Sequence, residues 1–280
     1  MQGQFQGMAV YESKTSTADF KAQFSGNRDI TPEMQQMIEE RMKKMFEKTF
    51  IMHFDQTASI YKEEEKLDAP GQSGGMRMMS SMMGGGGTYY KNVKEKTFTV
   101  DREFMGKEFL VKDTLTNIKW KMEGESRVIG GYNCFKATAV IPAGKTDFRN
   151  FRPRNPNEKK DEKKDEKKDE KPRTTNFMDQ GEMPTETVIT AWYAPEIPVN
   201  QGPESYWGLP GLILEVNDGR TTILCSKIVL NPKEKAKIEA PSKGKVVTQA
   251  EYDETVMKKM EEMREMGPQG GRGMQIRMGR

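Results

Sequence analysis

Apolar and polar positions alternate over short runs along most of this chain, the period of half-buried strands, and change to steps of three and four residues in two stretches. Phe5 to Glu12 reads as a first strand. Thr31-Pro32 then sets a capping threonine before a proline at the first helical position. Met34, Met37, Ile38, Met42, Met45, Phe46 and Thr49 follow at helical spacing, which predicts an amphipathic helix with a Met-rich face. Its other face pairs Glu39 with Lys43 and Glu40 with Lys44 at the supportive i, i+4 distance. Phe50 to Tyr61 resumes a strand. From Thr88 to Val140 come five short β-type runs: Tyr89-Tyr90, Lys96–Val100, Phe104–Lys112, Ile118–Met122 and Cys134–Ile141. Turn signals such as Gly130-Gly131 separate them, so they predict antiparallel meanders. Thr185–Tyr193, Leu212–Val216 and Thr221–Leu230 extend the series, and Asn217-Asp218-Gly219-Arg220 is a hairpin turn between the last two. Thr248 and Glu251 form a capping box that opens a second helix over Tyr252, Val256, Met260 and Met263, stopped by Gly267-Pro268. The expectation is a mainly β (α+β) fold. It is an antiparallel meander or curved half-barrel-like sheet, with one amphipathic helix in the N-terminal half and one C-terminal helix.

Two stretches do not fit this pattern. Residues 68–87 hold Pro70-Gly71, clustered methionines and four consecutive glycines, a composition that cannot offset its ordering entropy. Residues 142–184 surround three tandem Glu-Lys-Lys-Asp units, Glu158 to Asp169, whose charges cannot be buried. Both read as disordered insertions in a single β-rich domain spanning residues 1–266, with 267–280 as a disordered tail. At 34% hydrophobic and 31% charged residues, with 26 Gly and 14 Pro, the 280-residue chain suits a globular core interrupted in this way. The compact part is expected to hold roughly 180–200 residues.

Charge then removes one class of function. Forty-five basic against 42 acidic side chains leave +3, too little field to draw in a nucleic acid. No apolar run approaches the ~20 residues of a membrane helix. The opening residues enter a strand almost at once, as a mature N-terminus would after removal of an export signal. Cys134 and Cys225 both sit in strand-like runs. Two readings stay open: buried free thiols, or one disulfide in an oxidising compartment.

The run Trp192-Tyr193-Ala194-Pro195-Glu196-Ile197-Pro198, then Gly202-Pro203, then Trp207-Gly208-Leu209-Pro210-Gly211-Leu212-Ile213-Leu214-Glu215, resembles the signature of the GLPGLI family, whose six naming letters stand unbroken at Gly208 to Ile213. Ile129-Gly130-Gly131-Tyr132-Asn133-Cys134-Phe135-Lys136-Ala137 is similar to its second motif. The resemblance implies an exported protein of the Bacteroidota cell envelope, periplasmic or associated with the outer membrane, without an established activity.

The signature has a structural and a functional reading. Pro203 and Pro210 set backbone angles, Gly208 and Gly211 permit close or left-handed geometry, and Leu212-Ile213-Leu214 buries, all as a tight corner requires. Alternatively Trp192, Tyr193, Tyr206 and Trp207 line an aromatic groove for a peptide, glycan or lipid. Met76, Met78, Met79, Met82 and Met83 crowd one insertion, and soft thioethers select Cu(I). Packing is the plainer use of the helical methionines. A lone His53 has no nucleophile motif around it and Gly84 to Gly87 lack the lysine of a phosphate loop, so no catalytic residue or cofactor is assigned. The expected function is a non-enzymatic envelope binding or accessory protein serving an outer-membrane partner. The alternatives are a carrier of lipid or another apolar ligand in a curved sheet, and a Met-rich Cu(I) binder.

Overall fold

A computed structural model describes residues 5–17, 46–64, 86–144 and 186–265, isolated positions between 31 and 43, and the pairs 152–153 and 181–182. Its strands are β1 (Gly7–Thr15), β2 (Glu47–Phe54), β3 (Ala58–Glu63), β4 (Thr88–Asn92), β5 (Thr97–Phe104), β6 (Lys107–Thr114), β7 (Lys121–Ile129), β8 (Tyr132–Pro142), β9 (Arg152–Pro153), β10 (Gly181–Glu182), β11 (Glu186–Ala194), β12 (Leu212–Asn217), β13 (Thr221–Leu230) and β14 (Lys245–Val247). One helix, α1 (Gln249–Glu265), follows them. Twelve strands make one open sheet in the order β14-β6-β5-β4-β3-β2-β1-β13-β12-β11-β8-β7, and β9 and β10 pair separately. Every neighbour in the large sheet is antiparallel except β14, which runs parallel to β6.

The mainly β reading therefore holds, as a sheet with two free edges and not a closed barrel. The run Phe50 to Tyr61 divides into β2 and β3 around a turn in which Asp55 Oδ1 accepts the N–H groups of Thr57 and Ala58, each at 2.7 Å. That short carboxylate competes locally with the strand ladder and reverses the chain. Thr49, assigned from its spacing to the Met-rich helix, instead sits in β2 opposite Glu12. Most of that helix, from Thr31 to Met45, falls outside the described residues. At α1 the capping box forms as expected: Thr248 N donates to Glu251 Oε2 at 2.8 Å and Glu251 N to Thr248 Oγ1 at 3.3 Å.

Alternation puts one side of each strand into the core. Ala9, Tyr11, Met52, Phe54, Tyr61, Ala137, Ile189, Ala191, Ile223 and Cys225 share one face and one buried cluster. A second cluster joins Val100, Phe104, Phe109 and Val111 to Val247, Tyr252 and Val256, so α1 packs on the same face at the β6 end. Phe109 and Tyr252 meet edge-to-face at 5.5 Å. The sheet must curl around this face. Thr114 of β6 and Ile141 of β8 line one cavity although nine strand steps separate them, roughly 43 Å in a flat sheet.

Candidate binding cavity

Residues 195–211, between β11 and β12, cross the concave side and carry the signature. Ile197, Val199, Gln201 and Leu209 are all but inaccessible to solvent. Leu212 N donates to Ile197 O at 3.0 Å and Gly208 N to Asn200 O at 3.2 Å, folding the segment on itself. Gly208 takes φ +94°, and a Cβ on Gly211 would stand 2.3 Å from the Ala194 carbonyl oxygen, which is backbone and cannot yield. Tyr11 OH donates to Ile213 O at 2.8 Å from across the face.

The anchor of the segment is a residue that no motif marks. Lys91 of β4 is 1% exposed, and its Nζ donates to Gly202 O at 2.7 Å, Glu204 O at 2.9 Å and Tyr206 O at 2.8 Å. Three carbonyls use all three N–H bonds of an ammonium, whereas the neutral amine has two to give. Burial works the other way and, against the nearby Glu204 charge, pulls the Lys91 pKa from 10.5 down to about 7. In the sequence Lys91 is simply one polar residue in a strand, so only its inward phase could have flagged it.

The four aromatics of the expected groove are all buried, with Trp192, Tyr193 and Tyr206 in one apolar cluster. Trp192 and Tyr193 are successive in β11, on opposite faces. Trp192 lies under Arg127, whose guanidinium carbon is 4.0 Å from the ring centroid and which also pairs with Glu215. Tyr193 faces Phe135 at 6.2 Å, and its hydroxyl meets Met122 Sδ at 3.3 Å. Trp207 donates through Nε1 to Thr116 O at 2.9 Å, while Trp120 Nε1 donates to Trp207 O at 2.8 Å. Of the four, Tyr206 alone reaches the cavity. The corner reading accounts for the signature.

The cavity itself has a volume of about 560 Å³. Its wall is a stripe of rings across four consecutive strands: Phe50 of β2, Tyr61 of β3, Tyr89 of β4 and Phe98 of β5. Phe50 stacks on Tyr61 at 4.6 Å and Tyr89 on Phe98 at 5.3 Å, with Tyr61 directly opposite Tyr89 in the ladder. Phe46, Val100, Leu115, Ile118 and Ile141 add apolar surface. Burial raises the Tyr89 pKa, so its hydroxyl stays neutral. Thr187 lines the opposite side, and its buried hydroxyl has no hydrogen-bond partner. Sequence reasoning placed these rings in strands without seeing that one inward position on each strand aligns them.

The remaining candidate chemistry is quiet. Cys134 and Cys225 are free and buried, so the disulfide alternative is not realised. Burial pushes the Cys134 thiol to about 11 and Cys225 to about 12. His53 is half-buried, with its pKa lowered by that burial. Among the described residues no three His, Cys, Asp or Glu side chains are placed to share a metal. Met76, Met78, Met79, Met82 and Met83 lie outside the described residues.

Fold and site together define a class: an open antiparallel sheet curled around an aromatic-walled cavity and crossed by a buried Gly-Pro corner. Residues 120–215, which contain both sequence motifs, match the model of the Porph_ging family, described as a protein of unknown function. No curated protein matches. Two solved structures, both of PNGF-II, in C2 and P21 space groups, are similar at 13% and 12% identity with TM-scores of 0.47 and 0.46. They cover 91% and 90% of this chain, which spans 33% of the length of each.

Proposed function

We propose that this is a non-enzymatic binding protein of the cell envelope that holds an apolar or amphipathic small molecule in the concave cavity. The observation that carries the reading is the four-ring stripe facing about 560 Å³ of space, a size within the range of small-molecule pockets. A stripe of this kind belongs to a binding surface more naturally than to a core, because a core of four strands would fill the space opposite its rings. The buried, unpartnered Thr187 hydroxyl supports the same reading, since it leaves a polar atom for an occupant to meet. The envelope location rests on the family resemblance. The signature aromatics serve the binding only indirectly, by building the corner that bounds the cavity at Tyr206.

Native mass spectrometry of protein gently extracted from its own envelope tests the proposal. An added mass matching a lipid or other apolar molecule is expected, and it should disappear in Phe98→Asp while the circular dichroism of the sheet is unchanged. A bare chain in both preparations, or an adduct that survives Phe98→Asp, would sink it.

A further inference from the structure

Arg102 follows the ring stripe on the same face of β5 and lines the same cavity. Its guanidinium carbon sits 5.2 Å from the centroid of the Tyr252 ring of α1. Its charge also acts on Tyr89, where it opposes the burial that raises that phenol. The other cation of the lining, Lys48, is bonded to Glu63 at 2.9 Å. Among the described residues, no carboxylate forms an ion pair with Arg102. A half-buried guanidinium with five N–H donors and an aromatic neighbour is an incomplete arrangement.

Four carboxylates also border the cavity: Asp113, Glu204, Asp218 and Asp253. Three of them are occupied by local donors. Asp113 accepts Thr114 N at 2.7 Å and Gln249 N at 3.1 Å, Asp218 accepts Arg220 N at 2.9 Å and Thr221 N at 2.6 Å, and Asp253 accepts Gln249 Nε2 at 2.8 Å. The Glu204 charge acts on Lys91, whose ammonium it favours, and on Tyr89. The acids thus hold turns and the start of α1, and Arg102, whose side chain also hydrogen-bonds Tyr252, is the cation of the lining for which the described residues supply no carboxylate.

Resting on the binding reading above, we infer that the ligand carries one anionic acceptor group, a carboxylate or its equivalent, which Arg102 receives while the apolar body lies along Phe50, Tyr61, Tyr89 and Phe98. Planar guanidinium and carboxylate match as a two-bond fork, and the surrounding rings exclude the water that would weaken it.

The test displaces the neutral fluorophore N-phenyl-1-naphthylamine from the full chain with decanoate, decanol or decylamine. Decanoate should displace it at about one tenth of the concentration that decanol needs, the usual worth of one charge-assisted pair. Arg102→Gln should erase that tenfold preference while fluorophore and decanol binding persist, and Arg102→Lys should retain most of it. Persistence of decanol binding also shows that the Arg102→Gln cavity is intact. Equal potency of the alcohol, better potency of the amine, or a preference that survives Arg102→Gln would overturn the headgroup assignment and leave the cavity reading standing. Failure of the fluorophore and of all three competitors to bind would overturn both.

Discussion

The Gly-Pro corner and the ring stripe face each other across the same concave space and are built on opposite terms. In the corner, polar groups close on the chain itself: Lys91 takes three carbonyls, Trp207 and Trp120 take one each, and Tyr11 holds Ile213. In the stripe, rings pair with rings and turn their remaining surface to an unfilled volume. The corner is recognisable in sequence because geometry demands glycine at Gly208 and Gly211. The stripe is not, because any large ring at an inward strand position would look the same. A recognisable motif here marks a structural requirement, and the candidate site lies beside it.

This difference is open to direct test. The largest effect is expected at Lys91→Met, which leaves three carbonyls without their donor and should cost about 4 kcal/mol in urea unfolding. A variant as stable as the parent would show that the corner does not depend on this anchor. The same residue makes a pH prediction. With its folded pKa near 7 and its unfolded value near 10.5, the native chain sheds this proton first, so between those limits the unfolded state binds more protons. The Lys91 contribution to stability should therefore rise as pH increases from about 7 to about 10. A Lys91→Met chain should show a correspondingly flatter profile of urea midpoint against pH.

Next in size is Gly211→Ala, whose methyl group would meet the Ala194 carbonyl at 2.3 Å and should cost about 3 kcal/mol. Leu209→Ala, in a fully buried position, should also cost about 3 kcal/mol, whereas Phe98→Ala on the stripe should cost only about 1 because its ring already borders a void. Equal losses at Leu209 and Phe98 would mean that the stripe is ordinary core. Smallest is Thr248→Ala, which removes one side of the capping box. It should cost about 1 kcal/mol or less and appear mainly as faster amide exchange in the first turn of α1.

Much of the sheet was legible because its signals are local. The Asn217–Arg220 hairpin forms with Asp218 Oδ1 accepting the Arg220 and Thr221 amides, and β13 keeps the bounds its alternation suggests. The capping box at Thr248 is equally local. Errors arose where a local pattern was outweighed. Thr49 continues a helical spacing, yet pairing with Glu12 keeps it in β2, because ladder bonds to β1 are long-range partners that periodicity does not contain. Where Trp192, Tyr193, Tyr206 and Trp207 would lie was not legible for a simpler reason: adjacent residues of a strand point to opposite faces, and the chain then turns Trp207 toward Thr116.

By itself, then, the sequence determined that the chain is a predominantly antiparallel β protein, where its hairpins and final helix begin, and which segment carries the family signature. These follow from backbone preferences and periodicities that act over a few residues. Tertiary structure alone decided that Lys91 would anchor the signature, that Cys134 and Cys225 would be buried as free thiols, and that four rings and Arg102 would share one cavity. Each depends on strand order and on the curl of the sheet, which bring together residues up to nine strand steps apart through contacts that no local window of sequence can express.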